Sequence, residues 1–513
     1  MMFDVNFLSS KIIDFKDTSK FFDSLKSSGK SIALCHGVFD LLHPGHLKHL
    51  AKAKGIADVV VVSITADRFV NKGPGRPAFN ELFRSESLAN IISVDYVVVT
   101  PHPTAIEIIQ SVKPDYYVKG NDYIDENSDR TGNITKEKDI VESLGGKLFN
   151  TDEIVFSSSN LINQFLPTHS TEVKNWLRII KDKYTLDEVL GWLDKIVKLK
   201  VAVIGETIID IYTQCEALGK SSKDPVLCFN KETSEAYSGG ILAIGANCHG
   251  LGLETTVITG FNKEDELLLP IARLKTHGIN IKAIDTSPSP TIKKERFVDS
   301  RTSARVFELY EMLDQPLTAK QEMDFSRLVK EGTQNSDVVI VADYGHGLLT
   351  DRVIKQISES TAFLAVNTQT NAGNRGFNSI TRYSKANFIS LNGGEAQLET
   401  RRRHVEINSF VVELMKKMNS HQGIVTKGGG GVDIYQSNNS FQNYPALAPF
   451  IKDRVGAGDL VLVITSLLSA VDAPSEIVGL YANVIGAWAV TFTGNEKNID
   501  LGTISKLINS ILS

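Results

Sequence analysis

Residues 32–46, IALCHGVFDLLHPGH, constrain the fold more than any other stretch of the chain. An apolar run (Ile32, Ala33, Leu34) feeds a glycine turn, and two histidines follow, three residues apart across Pro44 and Gly45. Pro44 suits the first turn of a helix, where its missing N–H is no loss, and Gly45 lets a ligand approach the backbone. His43 and His46 then stand at a helix N-terminus, beside free N–H groups and the positive end of the dipole, where phosphate binds well. A lone histidine there is usually a cap or a core residue. With 11 His and 38 Gly in 513 residues, however, HxGH is expected by chance only on the order of 0.02 times. Strand, glycine turn and helix start are what a nucleotide site in an α/β sheet requires.

The rest of the chain repeats that alternation. Residues 1–30 read as a lead-in with a helix around Phe21, Phe22 and Leu25, ending at Gly29. From Ser31 the apolar runs SIALCH, VVVVSIT (59–65), VDYVVVT (94–100) and YYVKG (116–120) imply strands buried on both faces of a parallel sheet. The strand signal stops between Pro167 and Lys200, where TLDEVLGWLDKIVKLK has helical spacing and Thr185 with Glu188 forms a capping box. A second series runs through VAVIG (201–205), TTVITG (255–260), DVVIVADYG (337–345), FLAVN (363–367), ANFISLN (386–392) and GIVTKGGGG (423–431) to a helix-rich tail. The expected division is a lead-in (1–30), a first domain (31–166), a linker with the first helix of the second domain (167–199), and a second domain (200–513). A chain of 513 residues exceeds what one core normally supports.

Composition narrows the partners. A net charge of −5 offers no basic field for nucleic acid. Four scattered cysteines without a CxxC pair argue against a disulfide framework or a zinc site and fit a reducing cytosol. The apolar stretch at 460–471 is short and rich in Ser and Thr, so neither a membrane span nor a signal peptide is expected.

The first half resembles the nucleotidyltransferases of the cytidylyltransferase-like superfamily. It is similar to the adenylyltransferase half of bifunctional heptose-phosphate kinase/adenylyltransferases. The matching residues are GVFDLLHPGHLKHL (37–50), ADR and KGPGRP (66–77), Arg84, VDYVV (94–98), KPDYYVKGNDY (113–123) and FSSSNLI (156–162). The resemblance implies transfer of AMP or CMP from ATP or CTP to a phosphate monoester, releasing pyrophosphate. By the same likeness His43 and His46 contact the reacting phosphates, Lys72 neutralises charge, and Asp40 holds the turn or the nucleotide. Gly37, Phe39, Arg84, Lys119 and the hydroxyls of Ser157, Ser158 and Ser159 would bind nucleotide or phosphate. Such a reaction needs no protein nucleophile, because positioned cations and N–H donors carry the charge on the α-phosphate.

The second half resembles the ribokinase/PfkB sugar kinases through DRVGAGD (453–459). The likeness makes Asp459 the catalytic base and Gly456, Ala457 and Gly458 the γ-phosphate pocket. Asn392 and Glu395 in LNGGE match an NxxE element used around Mg²⁺ and phosphate, with Glu395 the implied metal residue. Thr426, Gly428, Gly431 and Asn483 match the ATP side, with ATP as phosphate donor. Asp210, the Gly239–Gly240 pair, Lys294 and Arg296 in PTIKKER, and Asp343 in DYGHG match the sugar side. Three features depart from the pattern: Ala243 in place of an asparagine, Leu460 after GAGD, and NTQTNAGNRGF (367–377) in place of an Asp-Pro-Lys segment.

The expectation is therefore α/β: two doubly wound domains, an HxGH Rossmann-like nucleotidyltransferase followed by a ribokinase-like kinase, in the reverse of the familiar order. The enzyme would phosphorylate a sugar or sugar phosphate and cap the product with AMP or CMP. The alternative is a polyol-phosphate (for example glycerol-phosphate) cytidylyltransferase with an inactive kinase-like module. Expected partners are small-molecule sugars and nucleotides, with no nucleic acid or membrane, and the resemblance allows a homodimer.

Overall fold

The computed structural model describes residues 10–70, 76–120, 133–151, 170–313, 315–374, 376–448 and 451–512. The chain forms two compact units, Met1–Ser170 with Ser505–Ser513, and Thr171–Ile504.

In chain order the first unit runs β1 (Ile12–Ile13), α1 (Thr18–Ser27), β2 (Ile32–Gly37), α2 (Pro44–Ile56), β3 (Val59–Thr65) and α3 (Glu81–Ala89). It continues with β4 (Tyr96–Thr100), α4 (Ile106–Val112), β5 (Tyr116–Gly120), α5 (Asn133–Ser143) and β6 (Lys147–Thr151). Its sheet has the order β1-β4-β3-β2-β5-β6 and every pairing is parallel. Alternate residues serve opposite faces, as a strand's period of two dictates. Ala33, Cys35, Val60 and Val62 pack with Leu50 and Leu88 on one side. Ile32, Leu34, Val59 and Val61 pack with Phe22, Ile108 and Val112 on the other. The strand order reverses at β2, between β3 and β5. The crevice at the carboxyl end of such a strand is where doubly wound sheets bind ligands, and GVFDLLHPGH begins there.

The lead-in needs correction. Ile12 and Ile13 pair with Val97 and Val98 of β4, and Phe22 is fully buried, so residues 10–30 belong to the first sheet unit. A two-residue strand has no periodicity by which to announce itself.

The second unit opens with α6 (Thr171–Lys183), α7 (Leu186–Ile196), β7 (Lys200–Gly205), β8 (Thr207–Lys220), β9 (Leu227–Gly240) and α8 (Ile241–Gly250). It continues through β10 (Glu254–Phe261), α9 (Leu269–Thr276), β11 (Asn280–Asp285), β12 (Ile292–Asp299), β13 (Arg305–Glu311), α10 (Ala319–Gln334) and β14 (Val338–Asp343). Then come α11 (Asp351–Ser358), β15 (Phe363–Thr368), β16 (Phe388–Asn392), α12 (Gly393–Glu399), α13 (Ile407–Lys417), β17 (Gln422–Thr426), β18 (Val432–Gln436) and β19 (Phe441–Tyr444). The helices α14 (Ala457–Ala470) and α15 (Ser475–Ala489) follow.

Nine strands form the order β11-β10-β7-β14-β15-β16-β17-β18-β19, parallel from β11 to β17 and antiparallel at β18 and β19. A separate four-stranded sheet, β13-β12-β8-β9, has no counterpart in the sequence reading. The segment read as a linker holds a second helix, α6, whose Trp176 ring lies 5.8 Å from Tyr444. The capping box of α7 forms as expected: Thr185 accepts from Glu188 N, and the Glu188 carboxylate accepts from Thr185 N. Among the described residues no helix is long and apolar enough to cross a membrane.

Candidate active sites

The first site is built on the turn between β2 and α2. Gly37 ends β2, and Phe39 takes a left-handed backbone (φ 50°), a conformation that costs energy and persists only where the surroundings enforce it. Asp40 supplies that enforcement. Buried, it accepts from Phe79 N at 3.0 Å through Oδ1 and faces Arg76 Nη1 at 3.5 Å through Oδ2. His43 caps α2: its Nδ1 accepts the Gly45 N–H at 3.2 Å, which leaves the proton of the neutral ring on Nε2. Burial holds this ring below the ordinary histidine value. The His43 and His46 rings lie 3.9 Å apart between centroids, and His46 lies 5.1 Å from the Phe39 ring. Two imidazoles that close at a helix N-terminus can present N–H donors to phosphate oxygens without two full charges repelling each other.

Arg84 has another job than the expected one. Fully enclosed, it donates from Nε to Phe79 O (3.0 Å), from Nη1 to Val38 O (2.6 Å), and from Nη2 to Thr65 O (2.9 Å) and Asp67 Oδ1 (2.6 Å). It fastens the ends of β2 and β3 to the start of α3, so the contacts seen for this guanidinium are with the fold. Lys119 is likewise buried and pairs with Glu137 at 3.0 Å. With burial first and Lys119 second as causes, His36 is pushed down to about 3 and His49 to about 4, so both rings are neutral. Arg76, through Asp40, is a residue of this turn that carried no assignment from the sequence. Arg76 lies inside the quoted KGPGRP motif, and that was the available signal. Lys72, Ser157, Ser158 and Ser159 lie outside the described residues.

The second unit encloses a cavity of about 650 Å³. Its walls bring together Asp210, Gly240, Lys294, Arg296, Asn392, Glu395, Thr426, Gly428, Gly431, Gly456, Ala457, Gly458, Asp459 and Asn483, which lie on segments far apart in sequence. Gly456 is the N-cap of α14 with φ 80°, and a Cβ there would sit 2.1 Å from Asn495 Oδ1. A Cβ on Gly458 would meet nothing within 4 Å, which leaves open space at the helix start.

Asp459 lies in the first turn of α14. Its Oδ1 accepts from Tyr344 Oη at 3.1 Å and from Gln369 Nε2 at 2.9 Å, while Oδ2 accepts from no described residue. Burial pushes its carboxyl up to about 6, against the lowering effect of those two donors. Tyr344 is itself positioned by Glu206, which accepts from the backbone N–H groups of Tyr344 (3.0 Å) and His346 (3.1 Å).

Between strands β8 and β12, Arg296 Nη1 grips Asp210 Oδ1 at 2.6 Å. Gly239 does not line the cavity. Its role is to make room, since a Cβ there would lie 2.3 Å from Asp210 Oδ2. Lys294 is buried between the rings of Tyr310 (5.4 Å) and Tyr344 (6.0 Å), with no hydrogen bond or ion pair to a described residue.

Asp343 departs from expectation. It is fully buried, does not line the cavity, and accepts from Gly345 N, Asn378 Nδ2 and Tyr383 Oη, each at 2.9 Å, so it braces the loop after β14. Asn392 and Glu395 also prove to be a capping box at α12: Glu395 N donates to Asn392 Oδ1 (2.9 Å) and Asn392 N to Glu395 Oε2 (2.8 Å). Glu395 Oε1 accepts from Thr370 N at 3.2 Å, and burial pushes the carboxyl up to about 7. Both oxygens of this carboxylate are thus engaged by backbone N–H groups.

Asn483 lines the cavity but gives its amide to Gly479 O (3.0 Å) and Tyr444 O (3.3 Å). Among the described residues no group of three or more His, Cys, Asp or Glu could hold a metal ion. Of the departures, Ala243 and Leu460 are buried in α8 and α14 away from the cavity, whereas Asn367, Gln369, Thr370 and Asn371 line it.

Comparison with known proteins agrees for the first unit. Residues 34–165 match the Cytidylyltransferase-like family. The chain is 38% identical over 141 residues to the Bifunctional protein HldE of Syntrophotalea carbinolica, covering 27% of this chain and 27% of that protein. It is 36% identical over 154 residues to the protein of that name from Helicobacter pylori, covering 29% and 31%. The matches thus span under a third of those relatives' length. Among solved structures, phosphofructokinase-2 from Escherichia coli is similar with a TM-score of 0.49 at 13% identity, covering 61% of this chain and 99% of that one. A nucleoside kinase from Methanocaldococcus jannaschii gives 0.46 at 17%, covering 60% and 98%.

Proposed function

We propose that the chain is a bifunctional enzyme of sugar activation. In the second unit ATP phosphorylates a hydroxyl of a sugar or sugar phosphate. In the first unit AMP or CMP passes from a nucleoside triphosphate to that new phosphate, with release of pyrophosphate. The observation that carries the reading is Asp459, whose uncommitted Oδ2 stands beside the Gly456–Gly458 turn in a cavity large enough for two ligands.

The chemistry follows from those groups. Asp459 takes the proton of the acceptor hydroxyl as its oxygen bonds to the γ-phosphorus, the bond to the bridging oxygen breaks, and ADP leaves. Backbone N–H groups at the start of α14 meet the charge that develops on the transferring phosphoryl group. Asp210, with Arg296 holding it, binds acceptor hydroxyls, and the Lys294 ammonium supplies positive charge. Magnesium bound with the nucleotide would neutralise phosphate charge, and Glu395 is the residue that would stand on its side of the cavity. In the first unit the new phosphate's oxygen attacks the α-phosphorus and pyrophosphate departs. His43 and His46 donate to the phosphate oxygens there, and Lys72 adds charge.

The reading of an inactive kinase-like module is motivated by Ala243, Leu460 and the altered 367–377 segment. The first two are core residues outside the cavity, and the third supplies Gln369, which donates to Asp459, so an active kinase is the favoured reading. The relatives named as bifunctional support the pairing of two reactions in one chain. A panel of sugars and sugar phosphates, incubated with the full chain, Mg²⁺ and ATP or CTP, tests the reading. ADP should appear first and pyrophosphate second, on the same acceptor; an acceptor panel that yields neither rejects it.

A further inference from the structure

Asp453 opens the DRVGAGD segment, three residues before Gly456, and its carboxylate is buried with 7% of the side chain exposed. Four groups from separate parts of the second unit converge on it. Oδ1 accepts from Val455 N at 3.1 Å and pairs with the Arg305 guanidinium at the start of β13. Oδ2 accepts from Tyr212 Oη of β8 at 2.9 Å and from Gly494 N at 3.0 Å. Gly494 is held close to the same tyrosine, because a Cβ on it would lie 2.9 Å from Tyr212 Oη.

Those partners divide into two sets. Val455 belongs to the glycine loop that leads into α14. Tyr212 and Arg305 belong to the four-stranded sheet β13-β12-β8-β9, and that sheet carries Asp210 on β8 and Lys294 and Arg296 on β12. Asp210 is two residues from Tyr212, and β12, between β8 and β13, is hydrogen-bonded to both. One buried carboxylate therefore ties the strands that hold the acceptor side of the cavity to the loop that holds the phosphate side.

We infer that Asp453 is a positioning residue for phosphoryl transfer, fixing the four-stranded sheet against the glycine loop so that occupancy of one is felt by the other. The inference rests on the kinase reading above. In-line transfer depends on the spacing of two bound reactants, and an error of about 1 Å costs on the order of a hundredfold in rate. A carboxylate with four donors resists such slippage, since breaking any one leaves a buried charge undersatisfied.

Hydrogen exchange of the full chain with and without Mg²⁺ and the non-hydrolysable ATP analogue adenylyl imidodiphosphate tests this. Arg305→Met is the variant because, of the two side chains that hold Asp453, Arg305 is the more exposed, at 39%. In the parent protein the analogue should slow exchange about tenfold both at residues 455–460 and in β8 and β13. In Arg305→Met the protection at 455–460 should remain while that in β8 and β13 falls away, and Arg305→Lys should restore it. Equal protection of β8 and β13 in parent and Arg305→Met, or protection at 455–460 alone in the parent, overturns the inference and leaves the kinase reading standing. No protection at 455–460 in the parent rejects both.

Discussion

Gln369 Nε2 donates to Asp459 Oδ1 at 2.9 Å, across 90 residues of sequence. Gln369 lies in the NTQTNAGNRGF segment, where the chain departs from the sugar-kinase pattern it otherwise resembles. The departure thus reaches the carboxylate: together with Tyr344, Gln369 holds one of its oxygens. In the proposed function the other oxygen serves the acceptor hydroxyl.

Replacing Asp459 by Asn removes the base. The ATP-dependent phosphorylation should fall by about a hundredfold to ten-thousandfold, with pyrophosphate release from an already phosphorylated acceptor unchanged. Separate assays of ADP and pyrophosphate check both halves of that statement.

Gln369→Leu withdraws a donor that favours the ionised carboxylate. Burial already lifts Asp459 to about 6, so the acid limb of the kinase pH profile should lie near pH 6 in the parent. The limb should move to higher pH in the variant. An unmoved limb would show that the Gln369 bond does not act on the base.

The same shift bears on stability. Asp459 rises from 3.8 to about 6 on folding, so its contribution is intact below about pH 4 and is lost as pH climbs through 6. Asp459→Asn avoids that loss. Relative to the parent it should gain up to about 3 kcal/mol between pH 4 and pH 8, measured by denaturant unfolding at the two pH values.

His43 caps α2, and in the proposed function it is also a ligand of the reacting phosphates. His43→Ala should lower nucleotidyl transfer by about a hundredfold to a thousandfold while costing only about 1 kcal/mol of stability. Arg84→Met should do the opposite in emphasis. It leaves Asp67 and three carbonyls without their buried donor and should cost about 3 kcal/mol or more, seen as early melting of the first unit.

Much of the fold was legible because β-branched runs and a capping box are local signals. The β2 turn and α2 could be read from IALCHGVFDLLHPGH, and Thr185 with Glu188 announced α7. What escaped was short or half exposed. Ile12 and Ile13 are too few to show a period, and the outer ends of β8 and β9 face solvent without a clean alternation. Residue type also misled where burial decides the role. Arg84, read as a phosphate ligand, gives its donors to Val38, Thr65, Phe79 and Asp67, and Asp343, read as a sugar contact, accepts from Gly345, Asn378 and Tyr383. Tyr344 and Gln369 could not be found from spacing, because their relation to Asp459 exists only once β14, β15 and α14 are assembled.

The central claim is that one site makes the phosphate the other consumes. The direct measurement follows pyrophosphate release by Asp459→Asn protein given an acceptor of the parent enzyme, first without and then with the phosphate that the parent installs. The account predicts no release from the unphosphorylated acceptor and parent-level release from the phosphorylated one. Release from the unphosphorylated acceptor at the parent rate would contradict it.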